Sequence, residues 1–97
     1  MNLDCEEIAG RMKILHIMRE KNDPLALQAV AAAGREGAVE VGILLLHDAV
    51  FSKLPDGLQV YACADDVAAR GVEAVYDPVS YDQIIKLFFE YDSVITW

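Results

Sequence analysis

The sequence predicts an α/β fold, a three-layer α/β/α sandwich around a mostly parallel sheet of about five strands. Two patterns predict it. Short apolar runs suited to buried strands alternate along the chain with helical stretches, and the links between them are short. Such alternation favours parallel strands joined by right-handed crossovers, with helices on both faces of the sheet. At 97 residues the chain is long enough for one such domain with its own core.

The first half of the chain predicts two strands and one helix. Residues 13–18 form a mostly apolar run suited to a strand buried on both faces. Asp23 and Pro24 supply an N-cap and a first-turn proline for the helix that follows. Residues 39–46 are the most apolar run and predict the second strand, which ends at His47.

The middle of the chain predicts a third strand that turns directly into a helix. A short helical turn is expected at 49–54 and a strand at 60–63. The helix after it ends at Arg70 and Gly71, where glycine is the usual C-terminal residue. A short strand is then expected at 72–75, before an Asp-Pro turn.

A final helix and strand complete the predicted domain. Ser80 and Gln83 match a capping box at the start of the helix. The spacing i, i+3, i+4, i+7 predicts one apolar face, formed by Tyr81, Ile84, Ile85 and Phe88. Phe89 falls outside that face, so it is expected to contribute to a subunit contact. Residues 93–97 predict the last strand.

Charge and composition limit the partners. The formal net charge is -8, from 8 basic and 16 acidic residues, so the surface should repel nucleic acid instead of binding it directly. The hydrophobic fraction of 55% exceeds the ~45–50% that is usual for soluble domains. The excess predicts a subunit interface, in a homo-oligomer or a hetero-oligomer.

A cytoplasmic protein without a membrane segment is expected. The longest apolar run, residues 41–46, is far shorter than the ~20 residues needed to span a bilayer. Cys5 and Cys63 are too few for a disulfide framework, which favours a reducing compartment. Residues 1–11 are acidic and polar and predict an N-terminal extension, followed by a single domain at 12–97.

Cys63 is the candidate reactive group. It lies where the third strand turns into a helix, and a helix start lowers the pKa of a nearby thiol. Asp65 and Asp66 oppose this effect, because carboxylates disfavour a thiolate. The alternative is a small core residue, since free cysteine is among the most buried residue types.

The two histidines receive different predictions. His47 ends the second strand, close enough to assist the thiol if the strands are neighbours, or else it binds a loop carbonyl. Asp48 would orient His47 or cap the following turn. His16 lies inside the first strand, where a structural, hydrogen-bonded histidine is favoured.

No phosphate loop, serine-hydrolase elbow or metal-ligand spacing occurs, so neither a cofactor nor a metal is expected.

Four segments in order resemble a known family: MKILHIM with a following Asp-Pro, ILLLHDAVF, VYACADDVAARGV and the C-terminal VSYDQIIKLFFEYDSVITW. Together they are similar to the DsrH/TusB branch of the DsrE/DsrF/DsrH sulfur-relay superfamily, over residues 12–97. The resemblance implies a small α/β domain that assembles with DsrE-type and DsrF-type subunits and passes persulfide sulfur between donor and acceptor proteins. That sulfur serves 2-thiolation of tRNA wobble uridine, or sulfur oxidation.

The cysteine of this chain resembles a different branch of the superfamily from the rest of the sequence. A DsrH-type cysteine would fall near residues 31–33, which are alanines here. Cys63 followed by Gly71 instead resembles the active-cysteine segment of the DsrE/TusD branch. We therefore expect a persulfide carrier with Cys63 as its sulfur site and His47 as a helper. The alternatives are a non-catalytic structural subunit of a DsrEFH-like oligomer and a small-ligand-binding module.

Overall fold

A computed structural model describes residues 12–34, 39–55, 57–73 and 75–97, and the predicted N-terminal extension lies outside them. The strands are β1 (Met12–Met18), β2 (Val39–Leu45), β3 (Gln59–Cys63), β4 (Asp77–Val79) and β5 (Ser93–Thr96). They form one sheet in the order β4-β3-β2-β1-β5, and every pairing is parallel. The predicted α/β class with about five parallel strands is confirmed.

Helices connect these strands, and three of them carry the capping residues that the sequence predicts. They are α1 (Pro24–Gly34), a 3-10 helix (His47–Phe51), α2 (Ala64–Arg70) and α3 (Tyr81–Glu90). The carboxylate of Asp23 accepts two first-turn N–H groups of α1, at 3.0 and 3.3 Å. Gly71 ends α2 with a φ of 62°, a conformation that glycine adopts without strain. Ser80 and Gln83 form the predicted capping box of α3.

The sheet separates two apolar clusters. On one face, α1, the 3-10 helix and α2 pack against alternate strand residues; the buried members are Met18, Ala26, Val30, Ile43, Leu45, Ala49, Val50, Val60 and Ala62. On the other face, α3 supplies the helical contacts; the buried members are Leu15, Ile17, Leu44, Cys63, Val79, Ile84, Leu87 and Tyr91. This alternation follows from the pleat, which sends successive side chains to opposite faces.

The predicted strand at 72–75 is wrong in position. Residues 72, 73 and 75 have no strand structure, and β4 lies instead at Asp77–Val79, paired with β3. Pro78 within β4 explains why the pattern was misleading, because proline is usually associated with turns. At the edge of a sheet, however, its missing N–H costs no ladder hydrogen bond on the open side. The helical turn expected at 49–54 also begins earlier, at His47.

The predicted apolar face of α3 does not coincide with its buried face. Ile84 and Leu87 are the buried residues, whereas Ile85 and Phe88 are exposed together with Tyr81. The apolar arc of α3 is therefore wider than the part that the sheet covers. Periodicity alone could not show this, because it defines an apolar arc but not which half of it meets the sheet.

The C-terminal end of α3 is held close to the sheet by an aromatic side chain. Tyr91 is buried against Gly42 of β2, where a β-carbon would lie 2.6 Å from the Tyr91 Cζ. Burial, and then a hydrogen bond with Tyr61, raises the pKa of the Tyr91 phenol, so it stays protonated. Glycine at position 42 is thus required for the close approach of helix and sheet.

His16 is structural, as predicted, and its partner is the C-terminal tryptophan. The Nε1–H of Trp97 donates to Nδ1 of His16 at 3.0 Å, and the two rings stack with centroids 6.0 Å apart. Since Nδ1 accepts, the proton of the neutral ring is on Nε2. That atom is buried and has no hydrogen-bond partner among the described residues. Burial lowers the pKa of His16 below its ordinary value.

We predict that the free energy of unfolding falls as the pH decreases below about 6.5, the ordinary histidine pKa. His16 titrates lower in the folded state, so the unfolded chain binds more protons in this range. Protonation would also put a hydrogen on the atom that accepts from Trp97. One such group changes the unfolding free energy by at most about 1.4 kcal/mol per pH unit.

Urea denaturation between about pH 5.5 and 7.5, above most carboxylate titrations, would measure this slope. His16→Phe keeps an aromatic ring against Trp97 but removes the titrating group, so its slope should be smaller. Equal slopes in the two proteins would contradict the prediction.

Candidate functional site

Parallel pairing brings the ends of β2, β3 and β4 to one edge of the sheet. Leu45 of β2 pairs with Ala62 of β3, and Cys63 pairs with Val79 of β4. The residues that follow these strands therefore start from adjacent positions at the carboxyl edge, where open α/β sheets usually place their sites. His47, Cys63 and the start of α3 are brought together in this way.

Cys63 is the last residue of β3 and immediately precedes α2, as predicted. Its side chain is only 1% exposed and belongs to the cluster on the α3 face. The sequence predicts an influence of the α2 start on this thiol, but the thiol makes no capping hydrogen bond there. The pleat explains the difference, because α2 packs through Val67 on the opposite face of the sheet from the Cys63 side chain.

Asp66 connects the groups around the thiol. Its carboxylate accepts the backbone N–H of His47 at 2.8 Å and a guanidinium N–H of Arg70 at 3.2 Å. Burial alone would raise the pKa of Asp66, but the hydrogen bond from the His47 N–H, the neighbouring Cys63 thiol and the charge of Arg70 outweigh it and lower that pKa. Asp66 is therefore a stable anion beside Cys63.

His47 lies at the predicted edge with an exposed side chain. Its φ of 53° is in the left-handed region, which is uncommon for residues other than glycine. The structure joins His47 to the thiol environment through its backbone N–H and Asp66, and no hydrogen bond between the imidazole and the thiol occurs in the part of the chain that the structure describes. Asp48 instead pairs with Arg70 at 3.0 Å, a role that the sequence did not predict.

Tyr81 is a site residue that the sequence predicts only as a member of the apolar face of α3. It is 60% exposed, yet it interacts with Cys63. The charge of a Cys63 thiolate, followed by that of Asp65, raises the pKa of the Tyr81 phenol. Cys63 pairs with Val79 of β4, and Tyr81 follows two residues later, which brings Tyr81 near the thiol. The sequence prediction put this strand at 72–75, so it could not show that proximity.

A surface cleft of about 580 Å³ lies elsewhere, at the amino end of β3. Its lining includes Phe51, Lys53, Leu58, Val72 and Tyr76, and does not include Cys63. The cleft is thus at the end of the sheet away from the strand termini that carry the thiol. The polar and thiol groups at the carboxyl edge form a separate site.

Residues 12–34, 39–55, 57–73 and 75–97 carry neither a metal-binding cluster nor a membrane-spanning helix. No three side chains of the His, Cys, Asp or Glu types converge there in a way that could bind a metal ion. No helix within those ranges has both the length and the apolar character required to cross a membrane.

Comparison with known proteins gives no relative. No protein-family model, no curated protein and no solved structure matches the chain. The geometry of the chain itself therefore carries the functional argument.

We predict that Cys63→Ser lowers the pKa of Tyr81 toward that of a free tyrosine. The largest cause of the elevation is the negative charge that Cys63 carries at the alkaline pH where tyrosine ionises, and serine carries none there. Absorbance titration of tyrosinate would measure the shift. Subtracting the curve of the corresponding Tyr81→Phe protein isolates Tyr81 from the other three tyrosines. An unchanged Tyr81 titration would show that the two groups are not adjacent in solution.

Proposed function

We propose that this chain is a sulfur-relay protein that carries sulfane sulfur as a persulfide on Cys63. The observation that carries the proposal is the position of this thiol. It lies at the carboxyl edge of the sheet, beside the carboxylate of Asp66 and the phenol of Tyr81. An inert core cysteine would need only apolar neighbours, whereas this one has an ionisable group on two sides.

The chemistry of such a carrier is thiol exchange without net oxidation. A Cys63 thiolate attacks the outer sulfur of a donor persulfide, the donor S–S bond breaks, and the donor leaves as a thiolate. The new persulfide on Cys63 then loses the same outer sulfur to an acceptor thiolate, which restores Cys63. Each step forms one S–S bond and breaks one.

The neighbouring groups have separate roles in this proposal. The exposed imidazole of His47 accepts the thiol proton, since histidine is the side chain that most often acts as a general base. Asp66 is unsuited to that role because its pKa is lowered, so it positions His47 through the backbone N–H. The Tyr81 hydroxyl donates a hydrogen bond to the negatively charged sulfur.

The cellular setting of the proposal comes from the resemblance to the DsrH/TusB branch. It is a cytoplasmic relay with protein donors and acceptors, serving tRNA wobble-uridine 2-thiolation or sulfur oxidation. An excess of acidic over basic residues supports contact with carrier proteins instead of direct contact with RNA.

We predict that the purified protein, treated with a low-molecular-weight persulfide such as glutathione persulfide, gains one sulfur atom on Cys63. Intact mass and peptide mass would locate that atom. Cys5→Ser should load like the unmodified protein and Cys63→Ser should not, which separates the two cysteines of the chain. If a known carrier loads under the same conditions and Cys63 does not, the proposal is wrong.

The role of His47 can be tested in the same assay with His47→Gly. Glycine adopts the left-handed backbone of this position without strain, so the N–H bond to Asp66 is kept while the imidazole is removed. Loading should slow by about 10²-fold or more, the usual contribution of a general base. Unchanged loading would show that the imidazole takes no part.

A second candidate function is a non-catalytic assembly subunit. The observation that favours it is the exposed aromatic surface of α3, where Phe89 is 85% exposed. In this case Cys63 is only a core residue and α3 is a permanent subunit interface.

This candidate predicts that Phe89→Glu dissociates the assembly, because a charge at a buried interface is strongly unfavourable. Cys63→Ser should leave the assembly intact. Light scattering of the purified proteins would measure both, and a monomeric unmodified protein would rule out self-assembly through α3.

A further inference from the structure

Helix α3 presents four apolar side chains that the described part of the chain leaves exposed. They are Tyr81, Ile85, Phe88 and Phe89, here called the α3 stripe. The spacing i, i+4, i+7, i+8 places them on one side of the helix. From Tyr81 to Phe89 the stripe is about 12 Å long, at ~1.5 Å per residue.

One end of the α3 stripe is also part of the thiol site. Tyr81 begins the stripe and lies two residues after Val79, the β4 residue that pairs with Cys63 in the sheet. The charge of Cys63, whose own side chain is buried, acts on the Tyr81 phenol. Any molecule that covers the stripe therefore contacts the residue next to the sulfur. The stripe therefore begins at the edge of the sheet that carries the thiol.

The size of the α3 stripe favours a transient partner. A fully buried aromatic side chain contributes ~150–250 Å², so four partly exposed residues offer only a few hundred Å². A stable interface of standard size buries ~800 Å² on each partner. The stripe suits an encounter that delivers or removes sulfur and then ends.

The charges around the α3 stripe indicate the character of that partner. Asp82 and Glu90 are exposed on the adjacent side of α3, with Lys86 between them, and Asp65 lies near Tyr81. The border is thus acidic on balance, as is the whole chain at -8. A second copy of this chain would bring the same acidic border, whereas a basic border would be attracted.

We infer that the α3 stripe is the docking surface for a thiol-bearing protein partner of the relay, one that presents an apolar helix face bordered by basic side chains. This inference rests on the proposed function. The partner's thiol would be held at the Tyr81 end, beside Cys63.

The test uses a designed probe and the whole protein with Cys5→Ser, so that Cys63 is its only thiol. The probe is an amphipathic helical peptide with an apolar face, a lysine border and a cysteine at one end, activated as a pyridyl disulfide and made in both orientations. Attack of Cys63 forms a mixed disulfide and releases thiopyridone, which is followed by absorbance.

Docking should make the lysine-bordered peptide react about tenfold faster than a glutamate-bordered peptide or a small pyridyl disulfide, because it raises the local concentration of the reacting group. Phe89→Ser should remove this advantage without changing the small-reagent rate. Leu25→Ser removes an exposed apolar side chain from α1 and is the matched control, which should keep the advantage. Equal rates for the two peptides would overturn the inference.

Self-association and an unreactive thiol give results that differ from those of docking. A dimer of the unmodified protein that Phe89→Ser dissociates would show that a second copy covers the stripe, which also overturns the inference.

If the small reagent reacts with Cys63 only after urea is added, the proposed function fails. Docking is then measured separately, by the fluorescence anisotropy of a labelled peptide whose cysteine is replaced by serine. Binding that Phe89→Ser abolishes would support the α3 stripe as the docking surface. Absence of binding would overturn the inference.

Discussion

The parallel register of β3 between β2 and β4 is the constraint on which the rest of this structure depends. It places Val60 and Ala62 toward α1 and α2, and Tyr61 and Cys63 toward α3. A shift of one residue would exchange the two sets, because side chains alternate along a strand. The thiol would then point into the cluster under α2, and alanine would take its place beside α3. Core packing and the position of the thiol are therefore fixed together.

The unequal covering of the two faces has a consequence for the surface. Three helical segments cover one face of the sheet, whereas α3 provides the helical covering of the other within the described residues. The Ser80 capping box fixes where α3 begins, and Tyr91 against Gly42 fixes how closely it ends. With both ends held, the helix cannot rotate its whole apolar arc toward the sheet. The aromatic residues that remain outside are exposed because of how the helix is attached.

The sequence predicted most of the fold because its signals are local. Apolar runs, the Asp23 cap, the glycine after α2 and the Ser80 capping box each act within a few residues, and each is present in the structure. The errors concern information that is not local. The position of β4 depends on its pairing with β3, which Pro78 conceals, and the buried side of α3 depends on how the helix packs.

The same distinction applies to the site. Cys63 and His47 could be placed at the carboxyl edge because each ends an apolar run, and parallel strands end at the same side of a sheet. Tyr81 could not be assigned to it, since its approach to Cys63 comes from a different strand and helix. The role of Asp66 was also beyond prediction. Its carboxylate accepts the backbone N–H of His47, which is 19 positions away in the sequence. Every residue except proline has a backbone N–H, so the pattern of side chains cannot indicate which one Asp66 binds.

The burial of Cys63 is compatible with sulfur transfer if one neighbour controls access to it. A buried thiol is protected from unwanted oxidation but must meet its donor, so a carrier needs a side chain that can move aside. Tyr81 is suited to this, because it interacts with the thiol while most of its own surface is exposed. Since Tyr81 also begins the α3 stripe, a partner bound there acts on the same side chain. On the proposed function, recognition of the partner and exposure of the sulfur are therefore coupled through one residue, so proteins that fit the stripe exchange sulfur faster than small persulfides do.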